Sequence, residues 1–387
     1  RCVIVEFREL TCEEFKKIEK KQKKYNFYQT VSWANVKKTT GWESYYVGVF
    51  DAKKNLGIAL LLAKKILNKK MFYIPRGPLL DYDNFSLLEF FFIFLKLFVK
   101  SKGGFTIKID PYILYQEHDR DGNSIGESNN KIISQLKSLG FVHRGFTIGY
   151  TDEAQFRWSY VLNIKDKKFD DLKKDMNQRC RRCLKMCYKY PLVVREVNED
   201  NFIEFKKIME HTANRQNHFD RSMDYYKNLA KYLGDDVVMV IVYLDKEKYL
   251  EEFKDDKLYE EIKKEQSEFV PITAGVFMYD WDRLNYAYGG TYSKYMHFMA
   301  QYRMQFEMIK RAMKKKLPLY DFGGISGDFN SDSDNYGVYE FKRGFGGNVV
   351  EYIGEFDLVV DKLFNSFYKF MFKTYRGIKK IRASIKK

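Results

Sequence analysis

Several residue types and patterns are scarce in this chain of 387 residues. It has five cysteines, Cys2, Cys12, Cys180, Cys183 and Cys187. An odd number without small-scaffold spacing excludes a disulfide framework and argues for a reducing compartment. Cys180, Cys183 and Cys187 fall on one helical face but lack a convincing fourth ligand, so no metal centre is expected there. The histidines, His118, His143, His211, His218 and His297, form neither an HExxH pair nor a triad pattern. No apolar run is long enough to span a bilayer. The strongest, Leu87–Val99, is too short, carries Glu89 and Lys96, and reads as a buried helix. No signal-peptide pattern stands at the start. Acidic residues are outnumbered, 52 against 68 Lys and Arg. That surplus argues for an anionic partner: a nucleic acid, a phosphorylated sugar or an acidic membrane face.

Hydrophobic residues make up 45% of the chain, enough for a sizeable core, and the length favours two domains. In the first half, Thr11-x-x-Glu14 predicts a capping box opening a helix through about Lys23. Strands are expected near 3–7, 45–50, 57–66, 72–74 and 105–109, with helices at 87–99 and near 130–139. The second half repeats that order. A strand over 156–164 precedes a basic helix over 169–190, stopped by Pro191, and helices follow at 201–215 and near 224–233. Strands at 237–243, 272–279 and 285–288 lead to a helix over 295–315. The segment 244–269 interrupts a hairpin and is charged, with Leu250, Phe253, Leu258 and Ile262 near helical spacing. An echo supports duplication: Glu14-Phe15-Lys16-Lys17-Ile18 recurs as Glu204-Phe205-Lys206-Lys207-Ile208. The expected fold class is α+β with mixed sheets.

The stretch from Tyr320 to Val360 organises the rest. Tyr320-Asp321-Phe322-Gly323-Gly324 ends an apolar segment. A polar loop, a helical turn at 336–342, the break Gly344-Phe345-Gly346-Gly347 and two strand-like runs follow. Between the glycine pairs sits Lys342. A lysine held beside glycine-rich backbone can stabilise a developing oxyanion. On spacing alone, the plainer reading is a solvated lysine near a helix end.

This stretch, with Tyr-x-Phe341-Lys342-Arg343-Gly344-Phe345-Gly346-Gly347 and Glu351-Tyr352-Ile353-Gly354-Glu355-Phe356, resembles the C-terminal signature of the Fem-type aminoacyltransferases, which build peptidoglycan cross-bridges. The resemblance covers nearly the whole chain. It implies two domains similar to GCN5-related N-acetyltransferases, 1–152 and 153–360, the first completed by a C-terminal helix over 361–387. It implies a short helical insert at 244–269 in place of the long coiled-coil arm of some members. By the same resemblance the catalytic lysine is Lys342, in the pair Phe341-Lys342, and Asp110, at the end of the strand 105–110, is a catalytic-site residue. Phe105 stands where the family has a tyrosine. Gln29 to Lys37 is similar to the element whose lysine binds substrate phosphate, which assigns Lys37 that role, with Trp33 beside it. Arg76, in Pro75-Arg76-Gly77-Pro78, would line the same cleft. Arg215, with Arg221 as competitor, would grip phosphate.

The donor implied is aminoacyl-tRNA, a co-substrate whose ester is already activated, so no further cofactor is expected. The acceptor implied is a muramyl-pentapeptide precursor, nucleotide-linked or lipid-linked. The amino acid moved would be glycine, alanine or serine. A monomeric, cytoplasmic protein in peripheral contact with the membrane is expected. Arg179, Arg181, Arg182 and Lys185 form a basic helix that is a candidate tRNA or membrane contact, and Lys379, Lys380, Arg382, Lys386 and Lys387 form a basic tail. Either set reads equally as a solvated face. Acyl-CoA chemistry is not expected, because β-rich sequence rather than a helix follows Gly347 and the helix over 295–315 has no glycine. Two other readings stay open: a tRNA-binding protein of this fold without transfer activity, and a transferase acting on another small amine.

Overall fold

The computed structural model describes residues 5–150, 155–216 and 218–385. Cys2, the expected domain boundary at 152, and the side chains of the basic tail from Lys379 to Lys387 lie outside the described part. In chain order the strands of the first half are β1 (Val5–Glu9), β2 (Glu43–Asp51), β3 (Lys54–Ile66), β4 (Lys69–Ile74), β5 (Gly104–Ile109), β6 (Leu114–His118), β7 (Ser124–Ile125) and β8 (Phe141–His143). Those of the second half are β9 (Trp158–Asn163), β10 (Leu192–Glu196), β11 (Val237–Asp245), β12 (Phe269–Tyr279), β13 (Arg283–Thr291), β14 (Leu319–Ile325), β15 (Asn348–Tyr352) and β16 (Phe356–Val359). The helices are α1 (Cys12–Glu19), α2 (Val31–Lys38), α3 (Phe85–Ser101), α4 (Asn130–Ser138), α5 (Phe169–Asp175), α6 (Gln178–Lys189) and α7 (Phe202–Arg215). They continue as α8 (Met223–Leu233), α9 (Lys246–Glu252), α10 (Tyr259–Lys264), α11 (Ala300–Lys314), α12 (Tyr336–Arg343) and α13 (Lys362–Ile385).

Two mixed sheets carry the fold, ordered β1-β2-β3-β4-β5-β16-β8 and β10-β11-β12-β13-β14-β9-β15-β6-β7. The duplication is visible in the pairing. β1 to β5 and β10 to β14 each form three antiparallel steps and then one parallel pair, β4 with β5 and β13 with β14. In the second sheet the parallel pairing stops at Asn285 and Asp321, while both strands run on. The sheets also exchange strands across the expected division at 152. β6 and β7, from the first half, sit in the second sheet, and β16, from the C-terminal end, sits between β5 and β8 in the first. Sequence patterning gives no warning of this, because a strand's neighbours are set by tertiary pairing and not by local composition.

Local signals explain most boundaries. The Thr11 hydroxyl accepts from the Glu14 amide at 3.1 Å, and the Glu14 carboxylate accepts from the Thr11 amide at 2.8 Å, the reciprocal capping box expected for α1. The single helix expected over 169–190 is two, because Met176 is extended and Asn177 caps α6 by accepting from Cys180 N at 2.8 Å. The helix expected over 295–315 is likewise broken at Met299, which has φ 53°. Helix α3 buries Leu88, Phe91, Phe92 and Leu95, but Ile93, Phe94 and Leu97 are exposed, so it is half-buried rather than buried. The insert forms the short α9 and α10, tied down where Asp256 accepts from Tyr190 Oη at 2.8 Å and meets His297 Nε2 at 2.9 Å.

The core lies in three parts. One sits under α3 and α4 on the first sheet, and one under α6 and α11 on the second. The third joins α1, α2, α7 and α8 between the sheets, and there the echoed Phe15 and Phe205 are both fully buried. Helix α13 returns to the first sheet, where Phe364 and Tyr368 cover Phe105 at 4.9 and 5.2 Å between ring centroids. Phe105 is thus a core residue.

Glycine substitutions separate turn geometry from mere composition. Gly347 has φ +101°, and a Cβ there would lie 2.5 Å from Val161 O. Gly347→Ala is expected to destabilise the protein by about 2 kcal/mol or more. Gly337, inside α12, has nothing within 4 Å of an added Cβ. Gly337→Ala is expected to stabilise by about 0.5–1 kcal/mol. Thermal unfolding midpoints of the two variants should therefore move in opposite directions.

Candidate functional site

The site is built at the end of β14. Asp321-Phe322-Gly323-Gly324 runs on past the parallel pair, where β14 bulges against β9 between Asp321 and Gly324, and α12 lays Lys342 back across it. Gly323 has φ +75°, and a Cβ there would stand 2.4 Å from Tyr286 O, so only glycine fits. The Lys342 ammonium donates to Gly323 O at 3.0 Å and Gly324 O at 2.6 Å. Lys342 is 5% exposed, and burial pushes its pKa down to about 7 against the pull of Asp321. An ammonium has three hydrogens to donate. Among the described residues the third has no acceptor. Phe341, next in sequence, packs on Tyr302 and Phe345 instead, with centroids at 5.0 and 5.5 Å. These contacts anchor α12, since successive residues on a helix face different ways.

Behind Lys342 runs a chain of buried polar groups. Asp321 is fully buried and accepts from Gly323 N at 2.8 Å, Ser159 Oγ, Tyr112 Oη at 3.3 Å and Arg283 Nη1 at 3.4 Å. Arg283 also donates to Tyr112 Oη at 3.1 Å and clasps Asp282 at 2.8 and 2.9 Å. On the other side of Tyr112 the Arg76 guanidinium lies over its ring at 5.1 Å and over the rings of Phe156 and Tyr352, each at 4.9 Å. Asp110 ends the chain. Its carboxylate accepts from Arg76 N at 2.7 Å, Tyr73 Oη at 2.7 Å and Gln155 N at 3.4 Å. Asp110 is 2% exposed, and burial raises its pKa. The adjoining pocket is only ≈ 20 Å³, room for about one water. The structure therefore places Asp110 as an internal support of the seam between the sheets, while Arg76, also buried, borders a larger cavity of ≈ 690 Å³ together with Tyr112. Motif reading missed Arg283 and Tyr112. Asp321 was signalled only as the lone carboxylate in an apolar strand.

A second cluster of cations lies at the other end of the seam. The Lys37 ammonium sits 5.8 Å from the Trp33 ring and 5.3 Å from Trp42, and Lys64 approaches Trp42 at 5.4 Å. Burial, then repulsion from Arg221 and Lys64, pushes the Lys37 pKa down to about 8. None of the three has a carboxylate partner among the described residues. Arg221 lies over Tyr225 at 5.3 Å. Arg215 turns away, donating to Ser293 Oγ at 2.9 Å, so it is Arg221 and not Arg215 that stands with Lys37. A glycine-poor loop after Arg215 hid this, since nothing in the sequence says which arginine folds back. The two ends are joined by one wall. Trp33 packs edge-on against Tyr28 at 4.9 Å, and Tyr28 Oη donates to Gln155 Oε1 at 2.7 Å. Phe156 then lies against Gly324, where an added Cβ would come within 2.8 Å.

The face of α6 adds a third feature. Cys180, Cys183 and Cys187 are buried, and burial raises the thiol pKa of Cys180 and lifts that of Cys187 to about 12. Such thiols are poor nucleophiles. Arg179, Arg181, Arg182 and Lys185 are exposed on the opposite face. The helix starts beside the lysine helix, where Asn177 N donates to Gly344 O at 3.0 Å.

Comparison with known proteins shows the family and the fold. The model of the FemAB family matches residues 10–261 and 254–373. Aminoacyltransferase FemA of Staphylococcus aureus strain N315 is 30% identical, with 98% of this chain and all of that protein covered. Aminoacyltransferase FemA of Staphylococcus epidermidis strain RP62A matches with the same identity and coverage. The alignments extend over 426 and 423 positions, more than the 387 residues here, so these relatives carry segments this chain lacks. Among solved structures, FemX superposes with a TM-score of 0.80 at 24% identity, covering 94% of this chain and 99% of that one. A tandem GNAT protein from the clavulanic acid biosynthesis pathway superposes with a TM-score of 0.50 at 8% identity, covering 92% and 99%. Both sharpen the fold: two GNAT-like halves in one chain. By sequence over nearly its full length and by architecture, the chain belongs to the FemAB family.

Proposed function

We propose that this protein moves an amino acid from aminoacyl-tRNA to a side-chain amine of a peptidoglycan precursor. The chain is an aminoacyltransferase, like the relatives it matches end to end. The observation that carries the reading is Lys342: a buried ammonium with two hydrogens on backbone carbonyls and one unassigned. The acceptor amine attacks the ester carbonyl carbon, and a C–N bond forms. The carbonyl oxygen takes up negative charge, which the third Lys342 hydrogen stabilises. The bond to the ribose oxygen then breaks, and the proton released by the amine leaves with that oxygen. No nucleotide hydrolysis enters the balance, because the ester is already activated. Lys37 and Arg221 hold the acceptor's phosphate groups at the far end of the wall, and the acceptor's peptide runs along Trp33, Tyr28 and Phe156.

The donor would lie on α6, whose basic face leads away from α12. The exposed Ile93, Phe94 and Leu97 of α3, with Lys96 and Lys100 beside them, suit peripheral contact with an acidic membrane face. No helix among the described residues is long and apolar enough to cross a membrane. The reaction would take place in the cytoplasm, where charged tRNA is found.

Transfer of radiolabel from a charged tRNA pool to a muramyl-pentapeptide tests the reaction, with lipid-linked acceptor as the second arm. No label in either acceptor would remove it. In that assay Lys342→Ala is expected to lower kcat by about 100- to 1,000-fold. Because the Lys342 ammonium is the working form while the attacking acceptor amine must be neutral, the wild-type single-turnover rate should climb with pH up to about 7 and level off above it. A rate that goes on climbing without a break from pH 7 to 9 would remove the ammonium as the working form.

Lys37→Ala and Arg221→Ala are each expected to raise the acceptor KM by about tenfold or more, at the scale of removing a charge-assisted hydrogen bond. Arg215→Ala should leave it within about twofold. An Arg215 effect larger than that of Arg221 would reverse the assignment. For the donor, the combined Arg179→Ala, Arg182→Ala and Lys185→Ala variant should bind tRNA more weakly and with a shallower salt dependence. The slope should fall by about one unit for each tRNA phosphate left without its cation. An unchanged salt slope, read by filter binding, would place the tRNA elsewhere.

A further inference from the structure

The loop after β8 is built into the Lys342 site. Residues 144–150 leave the first sheet and cross to the second, past the end of β14. Two points pin the crossing. The carbonyl of Thr147 accepts from Trp158 Nε1 at 3.2 Å and Arg157 Nη1 at 3.4 Å, and Gly149 N donates to Ser326 O at 2.7 Å. Phe146 packs on Tyr115 and on His143, with centroids at 4.8 and 5.0 Å. The last residue of the strap, Tyr150, donates its hydroxyl to Gly324 O at 3.3 Å. That oxygen is also the acceptor closest to the Lys342 ammonium, at 2.6 Å. Tyr150 is half exposed, so its ring forms part of the open rim over a lysine that is itself buried.

The geometry points to Tyr150 as a positioning residue for Lys342. Two donors grip one carbonyl oxygen, which has two lone pairs to share between them. The hydroxyl occupies one direction and leaves the ammonium the other. Gly324 follows a glycine in the left-handed region and pairs with Ser159 of β9 immediately after a break in the strand register. The tyrosine hydrogen bond adds a second constraint to its carbonyl at that break. With two ammonium hydrogens fixed on Gly323 O and Gly324 O, the direction of the third is determined. The hydroxyl therefore acts on the reaction through Lys342 and need not touch the reacting atoms. This rests on the assignment of Lys342 as the oxyanion donor, and it extends the working parts of that site to a segment from the other half of the chain.

The test compares the full chain with Tyr150→Phe, Ile148→Ala and Lys342→Ala in the transfer assay. Tyr150→Phe keeps the ring and removes only the hydroxyl. It is expected to lower kcat about fivefold, the size of one neutral hydrogen bond, with KM for donor and acceptor unchanged. Ile148→Ala, at an exposed position of the same strap, should behave as wild type. A wild-type kcat in Tyr150→Phe would overturn the role. So would a raised KM with unchanged kcat, which would make Tyr150 a substrate contact. An equal loss in Ile148→Ala would assign the effect to the strap's fold rather than to the hydroxyl. If Lys342→Ala keeps wild-type turnover, the lysine mechanism itself fails and the Tyr150 role falls with it. If Lys342→Ala is inactive while Tyr150→Phe is normal, only the present inference fails.

Discussion

A buried ammonium held by two backbone carbonyls is the constraint on which the rest of this molecule turns. Taking a lysine out of water disfavours its charge, and only well-placed acceptors offset that cost. Here Gly323 O and Gly324 O supply them, and Asp321 supplies the opposing charge nearby. Those carbonyls face the lysine because β14 bulges against β9 at a glycine no other residue could replace. Asp321 in turn is held by four donors from four different parts of the chain. The lysine's readiness for chemistry is thus inseparable from the way the two halves meet.

That meeting has an internal symmetry. Each sheet ends its parallel strand pair at an aspartate, Asp110 just after β5 and Asp321 in β14. Each aspartate has an arginine beside it, Arg76 and Arg283, and Tyr112 lies between the two arginines. A duplicated fold brings two copies of one strand-end arrangement together, but only one copy has gained a lysine across it. The other is closed over: its carboxylate oxygens accept from Tyr73, Arg76 and Gln155. One half closes the arrangement with its own donors while the other presents it to Lys342.

What could be read from the sequence follows from what kind of information each feature needs. The capping box of α1, the glycine-bounded lysine and the strand-helix alternation are local patterns, and they were legible. Lys37 was legible only through the family resemblance of Gln29 to Lys37. Which arginine joins it was not, because Arg215 and Arg221 differ only in how the chain between α7 and α8 folds back. Asp110 read as a catalytic-site carboxylate from the family resemblance and its place at a strand end. Its saturation by Tyr73, Arg76 and Gln155 depends on three segments distant in sequence. Phe341 was drawn in by adjacency to Lys342, although neighbours on a helix point to different surroundings. The breaks at Met176 and Met299 were hidden because methionine carries no turn signal. The sheet membership of β6, β7 and β16 lay beyond reach for the reason all strand pairing does.

The exchange of β16 has a consequence in time rather than in space. A chain made from its N-terminus places β5 early, and β5 is buried along its whole length in the finished protein. One of its neighbours, β4, is available almost at once; the other, Phe356–Val359, emerges only after nearly the whole chain has been synthesised. Until then the first half carries an open apolar strand edge, the kind of surface that seeks pairing with another chain. The first sheet of this protein is therefore the first begun and among the last completed, and its closure waits on the same C-terminal segment that follows Lys342.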